Sequence, residues 1–322
     1  VIDESRRDNA LIVVNFGDPS LIAENLVSSH ESGTLVVVVD NFHSPQARAA
    51  TAALCEDNGW VYVASPNDGF GAGVNRGLLA ARARGCRTFT ALNPDAIASP
   101  EVIRELARHV AAHPDDLVSP YMDTSDGRPH FRGIAVSMRT GQMRSGWNAA
   151  DDDPEWKNWL SGACLAFSDA ALDRLGGFSE EFFLYWEDVD ISRRAAALGL
   201  RLVVRSDLVV VHDEGGTHQR RGSRAKSPVY YYYNIRNRLL FGRRMLSGRA
   251  WARWVLHSPR QSLLIWMRGG RKQALTDPRG VIAALRGLGA GLAQVVRQPQ
   301  GSDPGTVQRR SPWNTTTGSP TP

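Results

Sequence analysis

The sequence predicts an α/β fold: a mostly parallel central sheet covered by helices on both faces. Three observations predict it. Short, continuously apolar, valine-rich runs recur along the first half of the chain. Segments opened by helix-start signals separate them, and acidic residues stand at the ends of the runs. Strands that are apolar at every position, not at alternate ones, are strands buried on both faces, and helices between them supply the cover.

Ala10–Phe16 (ALIVVNF) is the first such strand, and Asp18-Pro19 is a cap and first-turn signal for a helix to about Ser29. Thr34–Asp40 (TLVVVVD) is the second strand; Ser44-Pro45 starts a helix that ends near Asn58-Gly59. Trp60–Ala64 is a third strand, followed by a helix over Val74–Arg84. Thr88–Leu92 is a fourth, and Ser99-Pro100 opens a helix to His113. Residues 117–160, with their glycines, prolines and the acidic run Asp151–Asp153, read as hairpins and a loop. Trp159–Phe167 reads as one buried strand, followed by a short helix over Asp169–Leu175. The aromatic run Phe182–Trp186 leads into a helix over Asp188–Leu198 that Gly199 closes. Strands at Leu200–Val204 and Leu208–Val211 follow. From Val229 the pattern is helical and arginine-rich, with Trp251, Trp254 and Leu263–Met267 interleaved. The stretch 299–322 has the composition of a disordered tail, and its Asn314-Thr315-Thr316 glycosylation pattern carries no meaning in a cytoplasmic chain.

The composition excludes a disordered, collagenous or disulfide-framework chain: 42% of the 322 residues are hydrophobic and 22% charged. Cys55, Cys86 and Cys164 are odd in number, form no CxxC pair, and read as buried thiols of a reducing compartment. The first ten residues hold no apolar signal segment and no run approaches a membrane span, so a soluble, cytoplasmic protein is expected. Charge is divided unevenly. Residues 1–200 hold 17 Lys/Arg against 28 Asp/Glu, whereas residues 201–322 hold 21 against 5. A basic end on an acidic body predicts anionic partners such as phosphates, pyrophosphates or a lipid surface. No nucleic-acid-binding motif accompanies it.

Asp40 closes the second strand and Asp95, in Asn93-Pro94-Asp95, follows the fourth. Ligands of open α/β sheets bind beyond the carboxyl ends of the strands, where an acid can accept from a base or ribose or hold a cation. Asp is equally at home there as a turn or cap residue. The segment Asn67–Gly77 (NDGFGAGVNRG) reads as a glycine-rich turn opening a helix, without the dinucleotide spacing or the position after the first strand. Trp186-Glu187-Asp188-Val189-Asp190 places acids at a helix start, where the macrodipole favours the ionised form that a general base needs; plain capping explains them too. His212, after the last core strand, can ligate a metal or serve structurally. On the tyrosine-rich helix near Val229, Arg236 can grip phosphate oxygens, or the helix can simply pack through its tyrosines.

Taken in order, VVNF (13–16), VVVVDN (36–41), NDGFGAGVNRGL (67–78), LNPDA (92–96), WLSGACLAF (159–167), the stretch 176–199, VVVHDEGGT (209–217) and YYNIRNRL (232–239) resemble the family 2 inverting glycosyltransferases of the GT-A fold, nearest the bacterial rhamnosyltransferase-like branch. The resemblance covers about residues 10–245 and implies a catalytic domain over 1–245, a basic helical extension over 246–298 and the tail over 299–322. It implies that Asp40 contacts the nucleotide base, that Asn67, Gly71 and Asn75 lie near the nucleoside, and that Asn15 and Arg236 also serve the donor. It makes Asp95 the metal carboxylate, His212 the later ligand of Mg2+ or Mn2+, and Asp188 the catalytic base. The metal motif is Asn93-Pro94-Asp95 where the family often carries Asp-x-Asp, a form that looks like the variant of this branch. Trp159, Gly162, Trp186 and Glu187 fall on the sugar or acceptor side, with core packing an equal reading for the two tryptophans.

The implied donor is dTDP-rhamnose first, with UDP- and GDP-sugars as alternatives. The implied acceptor is a glycan or polyprenyl-linked hydroxyl in cell-wall or polysaccharide synthesis. An inactive nucleotide-sugar-binding scaffold is the rival, and a dinucleotide oxidoreductase lacks its glycine fingerprint. The basic helices after residue 249 either dock on anionic lipid at the inner face of the plasma membrane, pack on the catalytic domain, or form a homodimer.

Overall fold

The computed structural model describes residues 8–26, 33–147, 153–213, 226–270, 273 and 276–297. The expected helix end at Ser29, Asp151–Asp152, the 214–217 part of the histidine segment and the 299–322 tail with its Asn314 pattern lie outside the described residues. The first half runs β1 (Asn9–Asn15), α1 (Ser20–Asn25), β2 (Thr34–Asn41), α2 (Pro45–Asp57), β3 (Val61–Ser65), α3 (Phe70–Arg82), β4 (Thr88–Leu92), β5 (Ala96–Ile97) and α4 (Pro100–Ala112). Then come β6 (Asp116–Asp123), β7 (Pro129–Phe131), β8 (Ile134–Ser137), β9 (Met143–Ser145), β10 (Trp156–Trp159), β11 (Cys164–Ser168), α5 (Asp169–Leu175), α6 (Glu187–Ala197) and β12 (Arg201–His212). There follow α7 (Pro228–Met245), α8 (Gly248–Leu256), α9 (Ser258–Met267) and, numbered here α10, the helix Pro278–Arg297.

The main sheet has the order β3-β2-β1-β4-β11-β6-β12-β5, with β7 paired to β6. Its valine runs alternate between two cores. Ala10, Ile12 and Val14 of β1 face the core under α3, α5 and α6, while Leu11 and Val13 face the one under α1, α2 and α4. Ser44 and Ser99 cap α2 and α4, each accepting a backbone N–H three residues on, with proline in the first turn.

Four readings change. α3 starts at Phe70, so Gly71, Gly73 and Gly77 lie inside the helix and not in a turn before it. They bring α3 close to the sheet: a Cβ on Gly77 would stand 2.5 Å from Ile12 Cγ2, and one on Gly73 2.7 Å from Val14 Cγ1. Trp159–Phe167 is two strands, β10 and β11, in different sheets, with a loop at 160–163 between them. Leu200–Val204 and Leu208–Val211 are one strand, β12, interrupted by a bulge between Arg205 and Val209. Within 117–160 the hairpins exist as the sheet β10-β8-β9, but β6 is a strand of the main sheet.

Strands β1, β2, β3 and β4 are parallel; β11 is antiparallel to β4 and to β6, which makes β6 and its parallel partner β12 run with the first four. The carboxyl ends of six strands therefore share one edge of the sheet, and the start of β11 joins them there. That edge carries Asp40, Asp95, Asp123, His212 and the 160–163 loop. The chain reverses direction between β1 and β4, the switch point at which open α/β sheets bind ligands.

The last helices pack around α7. Trp251 and Trp254 of α8 enter the same core as Trp159, Trp186 and Phe241. Arg238 is buried there, donating to the carbonyls of Thr140 and Trp254 and to Ser258 Oγ, and burial pushes its guanidinium down to about 9. Among the described residues no helix is long and apolar enough to cross a membrane.

Gly77→Ala tests the close α3 contact. The added methyl meets a β-branched neighbour on a buried strand, and the overpacking outweighs the helix-propensity gain, so urea unfolding should show a net loss of about 1–2 kcal/mol.

Candidate functional site

A carboxylate and an imidazole are set side by side at the carboxyl edge by strand pairing itself. β12 ends antiparallel to β5 with His212 opposite Ala96, which puts the imidazole beside the preceding residue, Asp95. His212 Nε2 lies 3.2 Å from Asp95 Oδ1, although 117 positions separate them. The other ring nitrogen, Nδ1, is buried without a hydrogen-bond partner, and the ring meets His130 edge-on at 5.2 Å. Among the described residues no three His, Cys, Asp or Glu side chains gather into a metal-holding group. A carboxylate and an imidazole make a two-ligand site, and such a site fits Mg2+ or Mn2+ when substrate phosphates and water complete the shell.

Asp188 reaches the same edge from α6. Its Oδ2 accepts from the Gly162 N–H at 3.2 Å and its Oδ1 from the Val189 N–H at 2.8 Å. The 160–163 loop that supplies the first donor is itself fixed. Leu160 N–H donates to Ser192 Oγ at 3.0 Å, and Asn93 N–H donates to Ala163 O at 2.8 Å. Asp188 is thus joined through Gly162 and Ala163 to the turn that carries Asp95. Gly162 is needed for this approach, since a Cβ there would stand 3.3 Å from Asp188 Cβ.

Burial pushes the Asp188 carboxyl up to about 6, against the pull of the Gly162 and Val189 N–H groups. Burial first, then the neighbouring Asp188, holds Glu187 well above the usual carboxylate range. Its Oε2 has no hydrogen-bond partner. This corrects the expectation that the macrodipole alone sets the ionisation of both acids: desolvation outweighs the helix end and raises both carboxyls.

The conformation that delivers these acids is strained. Tyr185 and Trp186 have φ of 67° and 74°, the only left-handed residues other than glycine among those described. Asn237 of α7, fully buried, holds them: its amide donates to the carbonyls of Leu184 and Tyr185, both at 2.9 Å. Arg244, also of α7, donates to Ser179 Oγ and Glu181 and lies 3.6 Å from Asp190 Oδ1. On the other side Phe70 N–H donates to Phe183 O at 2.9 Å, and a Cβ on Gly69 would come within 2.2 Å of that oxygen.

The remaining sequence-derived residues take varied places. Asp40 is fully buried at the end of β2; its Oδ2 accepts from Arg48 Nε at 2.6 Å and from the Tyr62 hydroxyl at 3.3 Å, while Oδ1 has no partner. Asn67 is exposed on the loop before α3. Asn15 is buried, its amide given to Gly17 O and Thr51 Oγ1. Gly71 packs under Phe178, 3.0 Å from a Cβ to that ring's Cβ. Asn75 clamps the same segment, accepting from Phe178 N–H and donating to Phe178 O and Glu180. Asn15, Gly71 and Asn75 thus each have a partner within the chain. Arg236 donates to Glu181 O and Asn237 Oδ1, beside the segment that precedes α6. Trp186 packs on Phe241 at 5.3 Å and Trp254 at 6.5 Å, the core alternative; Trp159 lies in the same cluster, and the Nε1 atoms of both are buried without partners.

Asn237 and Arg244 escape the sequence reading. The signal present was two asparagines, Asn234 and Asn237, three apart on an otherwise apolar helix face.

A family model described as "Glycosyl transferase family 2" matches residues 11–174. A relative described as the low-salt glycan biosynthesis hexosyltransferase Agl10 of Haloferax volcanii is 24% identical over 245 residues, 72% of this chain and 75% of that one. An N-acetylglucosaminyl-diphospho-decaprenol L-rhamnosyltransferase of Mycobacterium tuberculosis is 30% identical over 161 residues, 48% of this chain; the match spans 46% of that relative's length. Among solved structures, the mannosyltransferase PcManGT of Pyrobaculum calidifontis in complex with GDP-Man and Mn2+ superposes with a TM-score of 0.51 at 17% identity, covering 97% of this chain and 86% of that one. GalNAc-T7 with UDP, GalNAc and Mn2+ gives 0.55 at 13% identity, covering 89% and 54%. The architecture is the GT-A fold with added C-terminal helices.

Asn237→Ala removes the side-chain donor from the carbonyls of Leu184 and Tyr185. It should lower the unfolding free energy by about 2–4 kcal/mol in urea titrations, the range for a lost buried hydrogen-bond network.

Proposed function

Because the chain belongs to glycosyl transferase family 2, we propose that it moves a sugar from a nucleotide-diphosphate donor to an acceptor hydroxyl with inversion at the anomeric carbon, Asp188 acting as the base. One observation carries this reading: a carboxylate on a backbone N–H pair, with its acid form displaced to about 6, at the sheet edge that also holds Asp95 and His212. A base tuned there is about nine-tenths ionised at pH 7 yet retains enough basicity to take a hydroxyl proton in the transition state.

The acceptor oxygen forms its bond to the anomeric carbon from the face opposite the diphosphate. The carbon–oxygen bond to the diphosphate breaks, and the hydroxyl proton passes to Asp188. Asp95 and His212 would hold a divalent cation, Mg2+ or Mn2+, which would supply counter-charge to the diphosphate. A second carboxyl acid is unnecessary for such a leaving group. Glu187, its carboxyl raised by burial and its Oε2 without a hydrogen-bond partner, is an acceptor-side candidate. Gly162 fixes the base, and Trp159 offers its unpartnered Nε1 on the acceptor side. Asp40, through its unpartnered Oδ1, and exposed Asn67 and Arg236 are the donor-side candidates.

The donor read first is dTDP-rhamnose, supported by the likeness to the mycobacterial rhamnosyltransferase; UDP- and GDP-sugars are the alternatives. The acceptor class is a glycan or lipid-linked glycan, as the names of the two relatives indicate for those proteins. Thermal-shift screening of nucleotide sugars with Mn2+ present, followed by turnover on the hit, identifies the donor, because a bound ligand raises Tm by mass action.

Asp188→Asn should lose turnover by about a thousandfold while the donor-induced thermal shift persists. Unchanged turnover removes Asp188 from the reaction; donor binding without turnover in the unmutated chain favours the scaffold reading. The pH profile follows from the raised carboxyl. Below about 6 the base carries its proton and kcat/KM falls tenfold per pH unit; above it kcat/KM is level. Asp95→Ala and His212→Ala should each raise the Mn2+ concentration needed for the donor-dependent thermal shift by about ten- to a hundredfold.

A further inference from the structure

The helix α10 is arranged inside out. The face it turns to α7 is made mostly of small residues: a Cβ on Gly287 would stand 2.5 Å from Tyr232 O, one on Gly291 2.6 Å from Leu239 Cδ1, and Ala284 is buried one turn earlier. Leu288 packs on that side too, but three other large apolar side chains point away. Ile282 is 55% exposed, Leu285 65%, and Leu292 follows on the same stripe at 37%. The adjoining α9 does the same with Leu263, Leu264 and Met267, and α8 ends on Leu256, 78% exposed. Arg260 and Arg268 on α9, and Arg279 and Arg286 on α10, are exposed around these side chains.

We infer that this outer face of α9 and α10 docks on an anionic membrane surface, its leucines and isoleucine entering the interfacial layer and its guanidinium groups meeting lipid phosphates. Amphipathic helices that lie on membranes combine these two features. Charge selects this occupant. Arg260, Arg268, Arg279 and Arg286 are exposed there, and residues 228–297 contain a single acid, Asp277. That acid is engaged, accepting from Gln273 Nε2 and the Gly280 N–H. A symmetric dimer through this face would press arginines on arginines with no free carboxylate to meet them. A nucleic acid would satisfy the arginines but leave the apolar stripe in water.

The docking goes beyond the transfer reaction and does not depend on which acceptor is used. It does reach the site mechanically: α7, on which α9 and α10 pack, carries Asn237 and Arg244, which hold the segment before Asp188.

Co-sedimentation of the full chain with vesicles tests it, comparing phosphatidylcholine alone with phosphatidylcholine mixed with phosphatidylglycerol. Binding to the mixed vesicles, weakened by salt, is expected. Ile282→Ser with Leu285→Ser should weaken it by about tenfold or more. Arg279→Gln and Arg286→Gln should each weaken it about fivefold. All these positions are exposed, so unfolding midpoints and donor-induced thermal shifts should stay unchanged. No binding by the unmutated chain, or equal binding by the apolar double variant, overturns the proposal. So does a dimer by light scattering that Ile282→Ser with Leu285→Ser dissociates, since it assigns the face to a second copy. The vesicles carry no sugar acceptor and donor binding is read separately, so failure here and failure of the transferase reading are distinct results.

Discussion

The amide of Asn237 is the contact on which the site depends. Two consecutive bulky residues, Tyr185 and Trp186, occupy a backbone region that L side chains avoid, at a cost of order 1–3 kcal/mol each. They remain there because a buried asparagine takes both preceding carbonyls and because the Trp186 ring is set against Phe241 and Trp254. The turn they make lets α6 begin with its acids aimed at the 160–163 loop. Without it the helix would start elsewhere and Asp188 would lose the Gly162 N–H. The C-terminal helices are therefore part of the scaffold of the site, since α7 supplies the asparagine and α8 supplies Trp254.

The same turn settles the electrostatics. Helix N-termini favour anions, but this one is dry, and withdrawal of water is the larger effect on both acids. Two adjacent carboxyls are both raised by burial, so neither ionises as readily as a solvated acid. Asp95 is placed by a different device, the pairing of β5 with β12, which is why the His212 contact survives a separation of more than a hundred residues.

Much of the fold is legible in the sequence. The strands at Thr34–Asn41 and Thr88–Leu92 are unbroken apolar runs, and Ser44-Pro45 and Ser99-Pro100 mark the helix starts by local chemistry alone. The failures share a cause: tertiary packing overrode local preference. Glycines at 71, 73 and 77 argue for a turn, but α3 needs Gly73 and Gly77 to approach Val14 and Ile12, and Gly71 to pass Phe178. Pro120 argues against a central strand at β6; it sits where β12 shifts register between Arg205 and Val209. The acids of the site are legible as types and positions, whereas their protonation and the asparagine that supports them are not. Both depend on burial, which a run of letters does not display. Gly71 and Asn75, read as donor-side residues by resemblance, turn out to have Phe178 as their partner.

The suture between Gly69–Phe70 and Phe183 fixes how far two segments can part. It stitches the start of α3 to the turn before α6 by one backbone hydrogen bond and a contact too close for any side chain. The two are thus held at a set gauge, like the jaws of a fixed spanner. Room beside them has to come from exchanging side chains on either segment, with the seam itself left untouched.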